Sequence, residues 1–231
     1  MARTARAIAL SQLAEEIVEC SRCTRLRRWC EQVGREKRRA YANEPYWSKP
    51  VPGFGDPAAK VMLIGLAPGA HGANRTGRLF TGDRAGDFLY ASLHRTGFAN
   101  QAESISKRDG LRLRGAYISA AARCAPPANK PTPPEIRRCR PFLLREIELL
   151  HPKVLVCLGG LAWTAALAAL ADAGETIPVP RPRFAHAAES IIGSTTLLGA
   201  YHPSQQNTFT KRLTPPMLDA VMRRARAIAW P

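Results

Sequence analysis

The segment KVMLIGLAPGAHGANRTGRLFTGD, residues 60–83, joins a short apolar run to a long loop rich in glycine and other small residues. Its first part, KVMLIGLA (60–67), has the length and composition of a strand buried on both faces of a parallel sheet. Glycines let a backbone approach a ligand closely, and the N–H groups of such a loop can bind a polar ligand edge or a phosphate. The segment therefore predicts a ligand-binding loop at the end of a buried strand, with Asp83 as its one carboxylate.

The same strand pattern recurs three times, and helical patterns lie between the strands. The other apolar runs are GAYISAA (115–121), KVLVCLGG (153–160) and STTLLGAYHP (194–203). The helical patterns cover residues 83–98, 132–152, 159–174 and 214–230, and two of them begin with Thr-Pro-Pro, which suits a helix N-terminus. Strand–helix alternation predicts an α/β fold with a parallel sheet covered on both faces, and ligands then gather at the carboxyl ends of the strands.

Length and composition indicate one globular domain over residues 1–231 with a strongly basic surface. A hydrophobic content of 45% supports a sizeable core and excludes global disorder. The 34 Lys and Arg residues against 18 Asp and Glu residues give a formal net charge of +16. Such a charge favours a polyanionic partner, nucleic acid first and an anionic membrane surface second. A coding bias toward arginine is the other explanation for part of the excess.

The sequence contains no feature that predicts membrane insertion. It has no run of about 18 apolar residues, as a membrane-spanning helix requires. Near the N-terminus, Glu15, Glu16 and Glu19 interrupt the apolar patch that a secretion signal would need. We therefore expect a cytoplasmic, nucleoid-associated protein with no membrane partner.

Six cysteines are present, and their spacing suggests a metal site. A Cys-x2-Cys pair in a chain without a secretion signal is typical of metal ligation rather than of a disulfide. Cys157 lies within the run KVLVCLGG and is expected to be a buried apolar thiol, and Cys30 has no partner at ligand spacing. The four candidate ligands are Cys20, Cys23, Cys124 and Cys139.

Four thiolates can hold either a tetrahedral zinc ion or a cubane iron–sulfur cluster, and the spacing does not decide between them. Because the four candidates come from distant segments, such a site would staple the N-terminal segment to the core. The alternative is that all six cysteines are incidental reduced thiols. The pair Cys20 and Cys23 argues against that alternative.

Two long motifs carry a resemblance to a known enzyme family. GLAPGAHGANRTGRLFTGD (65–83) and HPSQQNTFTKRLT (202–214), with the four cysteines, closely resemble the family 5 (type B) uracil-DNA glycosylases of bacteria and archaea. YWSKPVPGFGDP (46–57) extends the resemblance over almost the whole chain. The resemblance implies a three-layer α/β/α sandwich around a short central parallel sheet. It also implies a [4Fe–4S] cluster on the four cysteines and removal of uracil and other deaminated bases, such as hypoxanthine and xanthine, from DNA.

A glycosylase must flip the damaged nucleotide into a pocket, because the glycosidic bond of a stacked base is inaccessible. We expect small residues of the first motif, including Gly65, Ala67 and Gly69, to line the pocket for the extruded base and sugar. Phe80 is expected to stack on the flipped base, since an aromatic face stacks on any base. The alternative for Phe80 is a core residue behind the loop.

Bond cleavage leaves a cationic sugar and an anionic base, so the site needs a positioned water and charge stabilisation. We expect His202 to donate a hydrogen bond to the departing base, and the alternative is a structural histidine. Asp83 is the candidate for orienting water or stabilising the sugar cation. Its alternative is a helix N-cap, and one aspartate can fill both roles.

Ala67 stands where related uracil-DNA glycosylases carry a polar or acidic catalytic residue, as it does in family 5. Because alanine cannot activate water, the chemistry falls on the other candidates or on the substrate, and a less polar pocket is expected to discriminate less strictly between bases. Asn129 could read a base edge with its amide, or could belong to a turn in a proline-rich loop. Ser204 and Gln205 are candidates for contacts with the groove and the phosphates.

The predicted function is that of a monofunctional DNA glycosylase of base excision repair, which leaves an abasic site. Its expected partners are double-stranded and single-stranded DNA containing damaged bases, and the protein is expected to be a monomer. The basic stretch at residues 21–39, with Lys211 and Arg212, is expected to bind the DNA backbone. Two other functions stay open: a non-catalytic iron–sulfur nucleic-acid-binding module of the same fold, and a narrow uracil-only glycosylase.

Overall fold

The computed structural model describes residues 3–231, which form a six-stranded sheet with helices on both faces. The strands are β1 (Phe54–Gly55), β2 (Val61–Gly65), β3 (Ala116–Ala120), β4 (Val154–Leu158), β5 (Glu189–Ile192) and β6 (Thr195–Ala200). The helices are α1 (Arg3–Val18), α2 (Thr24–Glu36), α3 (Ala73–Thr76), α4 (Arg84–Arg95), α5 (Pro133–Leu150), α6 (Gly160–Asp172), α7 (Gln205–Phe209) and α8 (Pro215–Ala229). The predicted α/β class and three-layer arrangement are confirmed.

The strand order across the sheet is β1-β3-β2-β4-β6-β5. The four inner strands run parallel, and they are the four apolar runs that the sequence predicts. β1 and β5 pair antiparallel at the two edges. These edge strands are not predicted by the sequence, because β1 has only two residues and β5 is partly exposed, so neither forms a buried apolar run.

The inner strands read as continuous apolar runs because both of their faces are buried. In β2, Val61 and Leu63 contribute to the core on one side of the sheet, and Met62 and Ile64 contribute to the core on the other side. Helices α4 and α8 cover the first side, and α5 and α6 cover the second. The N-terminal helix α1 packs on α5. None of the helices within residues 3–231 is both long and apolar enough to cross a lipid bilayer.

The four helices with predicted bounds, α4, α5, α6 and α8, begin and end near those bounds, and local capping explains why. Thr132 accepts a hydrogen bond from the Glu135 N–H and forms a capping box with that residue, so α5 begins at Pro133. The same helix ends before His151, which has a left-handed conformation and precedes a proline. Gly97, with φ +80, follows the end of α4.

Backbone hydrogen bonds bring the loops after the inner strands to one edge of the sheet. The Ala121 and Ala122 N–H groups donate to the carbonyls of Gly65 and Leu66, both at 2.9 Å, so the loops after β2 and β3 leave side by side. The Gly159 N–H donates to the Ala200 carbonyl at 2.8 Å and joins the ends of β4 and β6 in the same way. The two long motifs therefore meet at this edge, as expected for parallel strands.

Candidate active site and cysteine cluster

The glycine loop between β2 and α4 wraps closely around the carboxylate of Asp83. A Cβ atom added to Gly72 would lie 1.9 Å from Asp83 Oδ2, and one added to Gly69 would lie 3.0 Å from the same oxygen. Any side chain at Gly72 would therefore collide with the carboxylate. These two glycines make room for Asp83, a role that their position in the sequence does not reveal.

The two oxygens of Asp83 have different surroundings. Oδ1 accepts a hydrogen bond from the Gly86 N–H at 2.9 Å, so Asp83 is the N-cap of α4. Oδ2 lies against Gly72 and Gly69. Burial raises the pKa of the Asp83 carboxyl, and the hydrogen bond from Gly86 opposes the rise. The capping role is thus observed, and it occupies only one of the two oxygens.

A partly buried ion pair holds the turn between the glycine loop and α4. Arg78 Nη1 and Nη2 donate to the Asp109 carboxylate at 2.9 and 2.6 Å, and Arg78 Nε donates to Thr81 Oγ1 at 2.9 Å. Burial favours the protonated form of Asp109, but Arg78 and backbone N–H groups outweigh it and lower the pKa to about 2. This satisfied pair fixes the conformation of the turn that carries Phe80.

Phe80 and His202 face each other at the carboxyl edge of the sheet, with ring centroids 5.9 Å apart and 34° between the ring planes. Phe80 has a left-handed backbone conformation, with φ +53. A Cβ atom at Gly65 would lie 2.9 Å from the Phe80 ring, so only glycine allows this approach. The ring packs partly on the core and stays partly exposed, and it therefore combines features of the stacking and the core interpretations.

His202 is a neutral imidazole at neutral pH. The protein atoms packed around its ring lower its pKa to about 4, because burial disfavours the charged form. The Asn207 side-chain amide donates to the His202 carbonyl at 2.9 Å and ties the start of the second motif to α7. A neutral imidazole can donate one hydrogen bond and accept another, so His202 suits a hydrogen-bond donor rather than a cation.

The other predicted contact residues lie on more open parts of the same edge. Asn129 is exposed, has a φ of +56 and ends a 3₁₀ turn at residues 127–129, so its turn role is observed. Ser204 occupies the N-cap position of α7 without a side-chain capping hydrogen bond, and Gln205 is an exposed first residue of that helix. Ala67 is partly exposed after β2. These positions are open to a ligand.

Two aromatic contacts at the site are not predicted from the sequence. The Tyr46 hydroxyl and His71 Nδ1 are hydrogen-bonded at 3.0 Å, which joins the segment before β1 to the glycine loop. Phe209 is 64% exposed at the end of α7, and the Arg84 guanidinium lies 5.4 Å from its ring centroid. Tyr46 and Phe209 both stand in the quoted motifs, but a motif does not tell which of its side chains stay exposed.

The glycine loop is also tied to α2. The buried Asn74 amide donates to the Cys30 carbonyl at 3.3 Å, and the Ser48 N–H donates to the Asn74 carbonyl at 3.0 Å. Arg27 of α2 donates to the Ser48 carbonyl at 2.9 Å. The N-terminal segment therefore supports the loop that holds Asp83.

The four predicted cysteine ligands lie together between α2 and α5. Cys23 and Cys124 share one buried apolar cluster, and Cys20 and Cys139 share the next. The pKa of the Cys139 thiol is raised to about 12, mainly by burial and to a smaller extent by the neighbouring Cys124 and Cys20 thiols. Burial likewise raises the pKa of Cys23, with added effects from Cys124 and Cys20. The thiols are thus close enough to interact electrostatically.

The surroundings of these thiols test whether they fit a metal group. Among residues 3–231, no three His, Cys, Asp or Glu side chains converge closely enough to hold a metal ion. The Arg123 N–H donates to Cys139 Sγ at 3.2 Å, and Nε and Nη1 of the buried Arg123 side chain have no hydrogen-bond partner within the described residues. The four thiols are thus near enough to affect one another's pKa, but their sulfur atoms do not converge on one point.

The remaining two cysteines differ from each other. Cys157 is buried in β4 as predicted. Cys30 has no partner by spacing, yet the structure places it in the same buried apolar cluster as Cys124. Cys30 lies near Cys124 because α2 packs beside the loop after β3, and the sequence does not reveal this packing.

The basic stretch at residues 21–39 is partly committed to internal contacts. Arg25 donates from Nε and Nη2 to the two oxygens of Glu135, both at 2.8 Å, and joins α2 to the start of α5. These bonds lower the pKa of Glu135 to about 2. Arg27 pairs with Glu31 at 3.1 Å. Arg25 and Arg27 are therefore engaged within the protein, and the predicted contacts with the DNA backbone are left to the other Lys and Arg residues of this stretch.

Comparisons with known proteins find similar chains among the uracil-DNA glycosylases. The family model described as the Uracil DNA glycosylase superfamily matches residues 52–226. A type-5 uracil-DNA glycosylase of Mycobacterium tuberculosis is 50% identical over 224 residues, which cover 96% of this chain and 82% of that protein. A type-5 uracil-DNA glycosylase of Thermus thermophilus is 48% identical over 217 residues, 93% of this chain and 96% of that protein. A type-4 uracil-DNA glycosylase of Archaeoglobus fulgidus is 37% identical over 113 residues, 48% of this chain and 49% of that protein.

Proposed function

The chain belongs to the type-5 uracil-DNA glycosylases of the uracil DNA glycosylase superfamily, and we propose that it hydrolyses the N-glycosidic bond of uracil in DNA, leaving an abasic site. We extend the proposal to hypoxanthine and xanthine and to base excision repair. One observation carries the proposal: a half-buried carboxylate at the end of a glycine loop and a neutral histidine beside a partly exposed aromatic ring occupy one edge of the sheet.

The extruded base would be held by stacking and by backbone groups. The exposed part of the Phe80 ring offers a face to any base, and Gly65, Ala67 and Gly69 let the loop backbone approach the base and sugar. The Asn129 amide can donate and accept, which suits the edge of more than one deaminated base. A pocket built this way supports a broad choice of bases.

His202 would stabilise the departing base. As the glycosidic bond breaks, negative charge develops on the base, and an N–H donor near its oxygen lowers the barrier. A neutral imidazole has one N–H group that can donate a hydrogen bond to the base. The low pKa of His202 keeps the ring neutral across the physiological pH range. The same ring lies 5.9 Å from that of Phe80, so stacking and stabilisation act on neighbouring parts of one base.

Asp83 would act on the sugar side. Its Oδ1 is held by the Gly86 N–H, which fixes the carboxylate, and its Oδ2 can orient a water toward the anomeric carbon or stabilise the cationic sugar. Because the cap restricts the side chain to one orientation, little reorganisation is needed in the transition state. This division of the two oxygens lets one residue be both a cap and a catalytic residue.

DNA would bind across the same edge. The net charge of +16 supports attraction to the phosphates, and Ser204 and Gln205 are placed for contacts with the backbone. Phe209 is an exposed aromatic beside them and could contact bases next to the extruded one. We propose that the protein works as a single-domain monomer on double-stranded and single-stranded DNA.

Cys20, Cys23, Cys124 and Cys139 would hold a [4Fe–4S] cluster. A cubane keeps its thiolates apart at the corners of its core, so the four sulfurs need not converge on one ion as zinc ligands at ~2.3 Å do. When bound, the cluster would supply a covalent link between the N-terminal segment and the core. It would hold α2 in place, and α2 supports the glycine loop because the Asn74 amide donates to the Cys30 carbonyl of that helix.

The test is base release from defined lesions. Purified protein is incubated with duplex and single-stranded oligonucleotides that carry one uracil, hypoxanthine or xanthine, and abasic sites are scored by alkaline cleavage. We expect release of uracil and of at least one other deaminated base, with iron and sulfide bound to the protein.

The alternatives give different results in the same assay. Binding to the lesion DNA without base release would indicate a non-catalytic nucleic-acid-binding module. Release of uracil alone would indicate a narrow glycosylase. A fully active protein that contains zinc and no iron would contradict the proposal that the four cysteines hold an iron–sulfur cluster.

A further inference from the structure

Arg75 is a buried cation within the glycine loop. It belongs to the short helix α3, and its side chain is 8% exposed. Arg75 Nε donates to the His71 carbonyl at 2.8 Å, and Arg75 Nη2 donates to the Gly82 carbonyl at 2.8 Å. One guanidinium therefore binds the loop backbone at two points, one before α3 and one after it.

These two points flank the surroundings of the Asp83 carboxylate. His71 precedes Gly72, where an added Cβ atom would lie 1.9 Å from Asp83 Oδ2, and Gly82 precedes Asp83 itself. A Cβ atom added to Gly82 would lie 2.5 Å from Arg75 Nη2, so a glycine is needed for the guanidinium to reach this carbonyl. Because both stretches are bonded to one planar group, they cannot move apart without breaking a bond to Arg75.

The outer side of the guanidinium contacts the segment before β1. Arg75 Nη1 donates to the Glu44 carboxylate, and the guanidinium lies 3.9 Å from the centroid of the Tyr41 ring. Glu44 is half-exposed, so this ion pair contributes little energy by itself, and its effect is to orient the guanidinium. Each of the three nitrogen atoms of the guanidinium thus has a partner, and the fork is fixed in one orientation.

The charge of Arg75 also acts on Asp83. Burial is the largest influence on the pKa of the Asp83 carboxyl and raises it, and the Asp87 carboxylate on α4 raises it as well. The Gly86 and Ala85 N–H groups and the Arg75 cation lower this pKa. Arg75 therefore favours the ionised carboxylate, which is the form that accepts a proton from water or stabilises a cationic sugar.

We propose that Arg75 is the positioning residue for Asp83: its guanidinium fixes the loop on both sides of the carboxylate and so sets the place of Oδ2 in the active site. This inference rests on the catalytic role proposed above for Asp83. Because Arg75 is buried, it acts through Asp83 and not through contact with the DNA. Its loss should therefore lower the rate of base release far more than the affinity for DNA.

The first experiment measures single-turnover release of uracil from duplex DNA in two variants and a matched control. Arg75→Lys keeps the charge but lacks the planar fork that binds both carbonyls, and Arg75→Gln removes the charge as well. Arg95→Gln is the control, because Arg95 is also a cation bonded to a carboxylate, that of Asp219, but lies at the opposite end of α4. DNA affinity and Tm are measured for every protein.

We expect Arg75→Lys to lower the rate at least ~10-fold and Arg75→Gln to lower it ~10²-fold, as for a reacting group misplaced by about 1 Å. DNA affinity should stay within ~3-fold of the wild type in both variants, because the lost contacts do not involve DNA. Arg95→Gln should keep the wild-type rate. A wild-type rate in both Arg75 variants would overturn the proposal.

Two readouts separate positioning of Asp83 from a general loss of structure. In Arg75→Gln, the acid limb of the pH–rate profile should move to higher pH, because the cation that lowers the pKa of Asp83 is gone, and it should move less in Arg75→Lys. In an Asp83→Asn background, Arg75→Lys should cost less than ~3-fold in rate, because the positioned carboxylate is already absent. An acid limb that stays in place in Arg75→Gln, or equal losses of rate in the two backgrounds, would overturn the proposal.

Tyr41→Leu tests the same proposal if the Arg75 variants do not fold. It leaves the guanidinium and both carbonyl bonds in place but removes the ring on which the guanidinium stacks. We expect a loss of rate of about 2–5-fold with unchanged DNA affinity, as for loss of one cation–π contact. An unchanged rate in Tyr41→Leu would then count against the proposal.

The same assays distinguish this inference from the function on which it rests. Wild-type protein that releases no uracil would reject the proposed function. An active wild type with an equally active Asp83→Asn variant would reject the catalytic role of Asp83 and this inference with it. An active wild type that depends on Asp83 but not on Arg75 would reject this inference alone.

Discussion

Replacing Gly72 with alanine should displace the carboxylate that we propose for catalysis. The new Cβ would lie 1.9 Å from Asp83 Oδ2 and 2.7 Å from Asp83 Cγ, so the side chain must retreat by about 1 Å to reach even the shortest tolerable separation. A misplacement of about 1 Å at a reacting group can cost ~10²-fold in rate. We expect a loss of that order in the single-turnover rate of uracil release, with little change in DNA affinity.

The same displacement should weaken the cap of α4, because Oδ1 and Oδ2 move together. Loss of an N-cap costs about 0.5–2 kcal/mol of stability, and each kcal/mol lowers the Tm of a chain of this size by about 2–4 °C. Gly69→Ala, whose Cβ would meet Oδ2 at 3.0 Å, should show a smaller loss of rate. Gly160→Ala is the control, because its nearest contact is Phe184 at 3.4 Å.

A double-mutant cycle shows whether the loss comes from the collision. In an Asp83→Ala background, the two closest contacts of the new methyl group, at 1.9 and 2.7 Å, are gone and the Cβ of residue 83 remains at 3.1 Å, so the substitution should cost little more. Equal losses of rate and stability in the two backgrounds would refute the reasoning, since Asp83 would then not be the group displaced. A wild-type rate in the Gly72→Ala protein would refute it as well.

Three further predictions concern the same residues and the cysteines. Asp83→Asn should keep the cap and the Tm of the wild type, because an amide oxygen still accepts from Gly86, but it should lower the single-turnover rate; a near-normal rate would leave Asp83 a cap only. Burial lowers the pKa of His202 from 6.5 to about 4, so the neutral imidazole contributes stability to the folded state above pH 6.5 and this contribution is lost as the pH falls toward 4. Urea unfolding of His202→Gln should therefore show a smaller loss of stability between pH 7 and pH 4.5 than the wild type. An equal loss in the two proteins would contradict the lowered pKa. Cys139→Ser should lose most of its iron, whereas Cys157→Ala should keep a full complement, because Cys157 is buried within the sheet; iron and sulfide analysis decides between these outcomes.

The sequence by itself determined the four inner strands, four of the eight α-helices and the family to which the chain belongs. The four parallel strands are visible because burial on both faces requires every residue of a run such as Val61–Gly65 to be apolar or small. Helix starts are visible because capping is local, as in the Thr132 and Glu135 box. The two motifs and the four cysteines are likewise contiguous or simply spaced, so the residues that carry the proposed function are found without a structure.

Only the tertiary structure decided how those residues are used. Gly72 matters because of Asp83 Oδ2, and Phe80 faces His202 although more than a hundred residues separate them in the chain. The buried pair of Arg123 and Glu146 exists because α5 packs beside the end of β3 and brings Glu146 to both Arg123 and Ser119. Strand and helix signals depend on neighbours a few residues away, whereas close approaches, buried pairs and lowered pKa values depend on which distant segments pack together.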